Sequence, residues 1–126
     1  MKINELKSIL YKKNYDFALF YNPDSMRFNA NMFYFSGYNG LGSLIIPKNK
    51  APFFIVPEME FERAKKSMVK KVYLMEKKKF FESIYKVLKK NKLKSRNVAI
   101  DKDNFTLNSY KNLKRHFKKI KAKDIS

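Results

Sequence analysis

The carboxylates of this chain meet at only two places where spacing gives them a shared task. Glu58, Glu60 and Glu62 alternate in EMEFE, and Asp101 and Asp103 follow the apolar run VAI. Carboxylates converging on one point hold a divalent cation, so both groups are candidate ligands. On an α-helix, however, only Glu58 and Glu62 share a face, and Glu60 points away. No histidine stands near them in sequence, and acids in a first turn complement the helix macrodipole. Asp101 falls at the carboxyl end of a predicted strand, where α/β sites gather. A strand end leading into a helix cap is the simpler account of Asp101 and Asp103. His116 is the only histidine and sits among Lys114, Arg115, Lys118 and Lys119. With no serine or carboxylate constellation around it, a triad role has no support. It reads as a surface residue near a helix C-terminus. There is no cysteine, hence no disulfide framework and no thiolate site. No residue of the chain is assigned a catalytic or metal-binding role.

The glycines are the other concentrated feature. Gly37, Gly40 and Gly42 all lie in FSGYNGLGS, and the chain has no others. Their order, G-x-x-G-x-G, is not the dinucleotide fingerprint, and no Gly-Lys-Ser/Thr follows for a phosphate loop. Asn39-Gly40 is instead a hairpin signal, because a tight primed turn needs positive φ at both central residues. The expectation is a β-hairpin with Tyr38, Asn39 and Gly40 at its tip. A tip on a stiff sheet is also a place for a binding loop. On this reading Tyr38→Ala leaves the domain folded.

The elements that would position these residues follow from periodicity. Ile3, Leu6, Ile9 and Leu10 recur at helical spacing, with Asn14 near the stop. FALFY, 17–21, reads as a buried strand. Asn22-Pro23-Asp24-Ser25 supplies a cap and a first-turn proline for a short helix. NMFYFSGY is apolar on both alternating faces and reads as a strand covered on both sides. SLIIP and PFFIVP complete a three-strand meander. EMEFERAKKS reads as a helix, VYLM as a strand, and Phe81, Ile84, Tyr85 and Leu88 as a helical stripe. VAID is a strand, a further helix starts after Asp103-Asn104, and KKIKAKDIS is a weak final strand or a tail. The order predicts one α/β domain over 1–126, three-layer, with a mixed β-sheet and helices on both faces.

Composition sets the outer bounds. The 126 residues are 44% hydrophobic, enough for one packed core. No apolar stretch reaches the length of a membrane span, and the charged start does not read as a signal peptide. The expectation is a cytoplasmic protein without a membrane partner. The net charge of +18 is uneven. Residues 1–64 carry eight Lys/Arg against six Asp/Glu, and 65–126 carry 21 against five, so the halves are +2 and +16. Such asymmetry suits a nucleic-acid partner, and a stand-alone lysine-rich nucleic-acid-binding module is the alternative reading. Only four of the 29 basic residues are Arg, the residue that reads phosphate and base edges bidentately. A solvated lysine surface, or an acidic partner, accounts for the charge with less.

Taken in order, the motifs resemble the creatinase/prolidase N-terminal domain. Asn31 to Tyr38, NMFYFSGY, is similar to that family's N-[IML]-x-Y-[LF]-[TS]-G-[FY] segment. DFALFYNP is similar to its first strand. SLIIP with FFIVP resembles its paired strands. VPEMEFERA resembles its V-P-x-x-E-x-E-x-A helix start, NVAIDKDNFTLNSYKNLK its later strand and helix, and KAKDIS the approach to the linker. The segment between Pro23 and the motif is longer than in many members, and the lysine load is unusual. The resemblance implies a ribonuclease-H-like fold that precedes the catalytic domain of Xaa-Pro aminopeptidases and prolidases. It implies a homodimer, a proline-containing peptide as substrate of the parent metallopeptidase, and a loop at Tyr38, Asn39 and Gly40 near the partner's substrate pocket. Two divalent ions, manganese or cobalt, would belong to a catalytic domain expected after residue 126. A creatinase-type substrate is not separated from a proline peptide by these residues.

Overall fold

Phe17–Asn22, the first strand (β1), is buried at all six positions. A strand with no exposed face must be covered on both sides, which places it inside a sheet layered by helices. The computed structural model shows this arrangement and describes residues 2–23, 28–76, 80–94, 96–101, 107–116 and 121–124. Helix α1 (Lys2–Lys12) leads into β1. Helix α2 (Ala30–Ser36) follows, then β2 (Gly42–Pro47) and β3 (Phe53–Val56). A 3-10 turn (Glu58–Glu60) opens α3 (Phe61–Lys65), and β4 (Lys71–Leu74), α4 (Phe80–Lys90), β5 (Asn97–Ile100), α5 (Leu107–His116) and β6 (Lys121–Asp124) complete the order. Asn14 takes positive φ, 59°, where α1 stops, as a helix end requires of an L-residue that tolerates it.

The six strands lie in the order β4-β3-β2-β1-β5-β6. β2 runs antiparallel to β1 and β3, while β1–β5, β3–β4 and β5–β6 are parallel pairs. Five strands therefore point one way and β2 alone points back. Period-two alternation along β1 divides the core. Phe17, Leu19 and Tyr21 pack with Ile84 and Leu88 of α4 and Leu113 of α5. Ala18 and Phe20 pack with Leu6 and Leu10 of α1, Met32 of α2 and Ala64 of α3. The expected three-layer α/β domain with a mixed sheet is present.

One expected strand is absent. NMFYFSGY is not a strand: residues 30–36 are α2, and no hairpin turn lies at Asn39-Gly40. The antiparallel set is completed by β1, which takes the place given to that segment. Local capping decides the matter. Asn29 accepts a hydrogen bond from the Met32 amide, 3.0 Å, and Gly37 closes the helix in the left-handed conformation, φ 75°. Apolarity on both alternating faces misleads here because Phe33 and Tyr34 are 48% exposed each, on the helix face turned from the core. The expected helix over EMEFERAKKS is split into the 3-10 turn and a short α3. KAKD pairs as β6. The short helix expected from Asp24 falls largely outside the described residues, as does the cap at Asp103-Asn104.

Candidate functional site

The carboxyl ends of the five co-directional strands share one edge of the sheet with the start of β2. Four of the nine buried polar side chains among the described residues lie there: Asn22 ends β1, Ser43 lies just inside β2, Glu60 follows β3 and Asp101 follows β5. The segment 37–41 joins α2 to β2 across this edge. Each of its backbone groups that leaves the solvent needs a partner, and side chains from four elements supply them. Asn22 donates from Nδ2 to the Gly40 carbonyl, 2.9 Å. Ser36 Oγ accepts from the Tyr38 amide, 3.1 Å. The Tyr38 hydroxyl donates to the Leu41 carbonyl, 3.1 Å, and the Leu41 amide donates to Glu60 Oε2, 3.2 Å. Arg63 donates to the Asn39 carbonyl, 3.1 Å, and pairs with Glu60 at 2.9 Å. Asn39 Oδ1 accepts from the Asn29 amide, 2.8 Å, which ties the segment back to the start of α2.

This network places the three candidate residues unequally. Tyr38 is 3% exposed, its ring edge-on to Phe54 at 5.0 Å and under the Arg63 guanidinium at 5.2 Å. It is a core residue, not a tip, so the expectation that Tyr38→Ala leaves the domain folded is reversed. Gly40 is also buried, and only Asn39 is partly open to solvent. The three glycines have separate causes. Gly37 and Gly42 take positive φ, 75° and 141°, and Gly40 does not. A Cβ on Gly40 would meet Arg63 at 2.2 Å and the Tyr38 hydroxyl at 2.4 Å, so it serves close packing of side chains over the backbone.

Burial pushes the Tyr38 phenol from its ordinary 10.0 up to about 12. Its hydrogen bond with Arg63 opposes the shift, and the charge of Glu60 adds to it. The folded state thus resists ionising this group. Its contribution to stability is complete below the unfolded value and is lost as pH rises through the folded one. Tyrosinate absorbance should include a step near pH 12 that belongs to Tyr38. Tyr38→Phe should remove that step and flatten the alkaline loss of stability. A titration in which Tyr38→Phe changes nothing places the phenol in solvent and contradicts its burial.

The acidic candidates part company. Glu60, set aside by helical geometry as the residue pointing away, is the buried one, because the 3-10 turn before α3 shifts the face. Its carboxylate is committed to Arg63 and the Leu41 amide. Asp101 is 2% exposed and accepts from Asn31 Nδ2, joining β5 to α2. Asp103 lies outside the described residues, and His116 is the last residue of α5. Among the described residues no three His, Cys, Asp or Glu side chains gather to hold a metal ion, and no helix is long and apolar enough to cross a membrane.

The exposed aromatic face of α2 escaped the sequence reading. Phe28 and Phe33 stand 5.6 Å apart, and Tyr34 lies edge-on to Phe35 at 5.1 Å. Met68, 67% exposed, reaches the same end of α2, its amide donating to the Ser36 carbonyl at 2.9 Å. The signal was available in Asn29 and Gly37, which bracket a helix with aromatics on its outer side.

The sequence profile of the creatinase/prolidase N-terminal domain matches residues 2–126. Among solved structures, the creatinase/prolidase N-terminal domain of an X-Pro dipeptidase from Streptococcus pyogenes is similar, with TM-score 0.77 and 20% identity over 98% of this chain and 92% of that one. The X-Pro aminopeptidase from Thermotoga maritima (TM-score 0.78, 22% identity) is covered to 33% of its length by 98% of this chain. The prolidase from Pyrococcus furiosus (TM-score 0.71, 25% identity) is covered to 35% of its length, again by 98% of this chain. Among curated proteins no sequence match is found.

Proposed function

Because the chain belongs to the creatinase/prolidase N-terminal domain family, we propose that it is the non-catalytic N-terminal domain of an Xaa-Pro peptidase of the aminopeptidase or dipeptidase type. Its work is dimerisation and confinement of a proline-containing peptide at the partner's catalytic domain, in the cytoplasm. The observation that carries this reading is the joint placement of two features on one edge. The segment 37–41 is fixed by hydrogen bonds from four elements, and beside it α2 presents Phe33 and Tyr34, with Phe28, just before the helix, against Phe33. A rigid backbone next to exposed aromatics suits a contact made with little ordering cost. Among the described residues no three His, Cys, Asp or Glu side chains gather to hold a metal ion. Two divalent ions, manganese or cobalt, would be held by a catalytic domain, where they would supply an activated water.

The test uses the full-length protein. Phe33→Ser with Tyr34→Ser should weaken its self-association about tenfold or more, since truncating interface aromatics typically costs above 1 kcal/mol each. Asn39→Ala should lower kcat/KM on an Xaa-Pro dipeptide without releasing metal, the pattern of a group that confines substrate. The 126-residue chain alone should show no turnover with added manganese or cobalt. Unchanged self-association in sedimentation, with unchanged kcat/KM, removes both roles.

A further inference from the structure

The opposite corner of the sheet has a different chemistry. β4 is the terminal strand of the sheet, paired with β3 on one side, and no described strand pairs with its outer edge. Lys71 and Leu74 are exposed along it, Leu74 to 53%. Ammonium groups converge on the Asn91 end of this edge. Lys50 Nζ donates to the Asn91 carbonyl at 2.6 Å, and Lys71 Nζ donates to Asn91 Oδ1 at 3.1 Å. Lys71 and Lys90 stand 5.5 Å and 5.7 Å from the centre of the Tyr73 ring. Among the described residues no carboxylate pairs with Lys50, Lys71 or Lys90. An ammonium has three donors, so each of Lys50 and Lys71 keeps donors beyond the one that Asn91 takes.

An exposed edge strand templates pairing with another chain, and lysine on the edge is a common guard. Here the guard is selective. It repels further copies of a chain of net charge +18 and attracts an acidic segment. A nucleic acid fits less well. Base stacking needs an open aromatic face, and the ring at this edge, Tyr73, is half-buried against the core and carries the chain's own Lys71 and Lys90. A backbone edge, by contrast, is complementary to a polypeptide.

We propose that the outer edge of β4 is a docking site for an extended acidic polypeptide segment of another protein. The segment adds as a further strand, with its carboxylates against Lys71, Lys90 and Lys50 and an apolar side chain over Leu74. Main-chain hydrogen bonds give the affinity and the alternation of charge gives the choice of partner.

The probe is an alternating glutamate–valine peptide of about eight residues, the length of a long strand. At about 150 mM salt, where the screening length is about 8 Å, it should bind and slow amide exchange at residues 71–74. An alternating glutamate–proline peptide has the same charge but few ladder donors and should bind about tenfold more weakly. Lys71→Gln with Lys90→Gln should weaken the glutamate–valine peptide about tenfold, and Lys12→Gln with Lys111→Gln, equal in charge, should not. Equal binding of the two peptides, or equal loss from the two double variants, reduces the effect to net charge and overturns the proposal. Tighter binding of oligouridylate overturns it in favour of nucleic acid. None of these outcomes involves α2 or segment 37–41, so they stand or fall apart from the proposed peptidase role.

Discussion

Gly42→Ala is expected to destabilise the domain by roughly 2–6 kcal/mol, from about 1–3 for backbone held in a glycine-only region and about 1–3 for overpacking. Gly42 opens β2 at φ 141° and pairs with Asn22. A Cβ there would lie 2.7 Å from Val56 Cγ1 and 2.9 Å from the Ile55 carbonyl oxygen. The valine methyl can rotate away, but the carbonyl belongs to the neighbouring strand and cannot. Against a total stability of about 5–15 kcal/mol for a domain of this size, the variant should show a large fall in denaturation midpoint. Adding Val56→Ala should recover only part of the loss, because the φ strain and the carbonyl contact remain. A Gly42→Ala domain that melts with the parent removes the close approach of β2 to β3 from the account.

Tyr38→Ala is expected to cost about 3–5 kcal/mol, the usual range for deleting a buried aromatic. The ring fills the space between Phe54 and Arg63 over the sheet. Its hydroxyl holds the Leu41 carbonyl, whose own amide goes to Glu60. Tyr38→Phe isolates the hydroxyl and should cost about 1 kcal/mol, the net worth of one hydrogen bond. Chemical denaturation of the two variants separates ring from hydroxyl. Equal losses for Phe and Ala would make the hydroxyl network, not the packing, the main support of the segment. No loss in either would return Tyr38 to the surface. The role proposed above for this edge then rests on Asn39 and the α2 aromatics, because Tyr38 is buried and holds the backbone of segment 37–41.

Several parts of this protein were determined by sequence alone. Unbroken apolar runs at 17–21, 44–46 and 53–56, bounded by Asn and Pro and rich in β-branched and aromatic residues, read as strands of a covered sheet. The amphipathic periods of α1, α4 and α5 require a sheet to cover, so the three-layer α/β class follows from pattern and burial. The ordered motifs carried the family, since they extend over the whole chain. Charge asymmetry was likewise a matter of counting.

Tertiary structure decided the rest, for identifiable reasons. NMFYFSGY is short enough that strand and helix bury similar apolar area, and the choice falls to two caps, Asn29 and Gly37, acting with the docking of Met32 and Ser36 under the helix. The role of each glycine depended on what approaches it in space: a carbonyl of β3 at Gly42, side-chain ends at Gly40, and a helix end at Gly37. The burial of Glu60 and its bond to the Leu41 amide needed the 3-10 turn before α3, which a single helix over EMEFERAKKS does not foresee. β4 became an edge strand only when the sheet was assembled with β3 on one side of it. Local pattern reports how much a segment must bury, whereas neighbours distant in sequence determine which of its atoms are met, and by what.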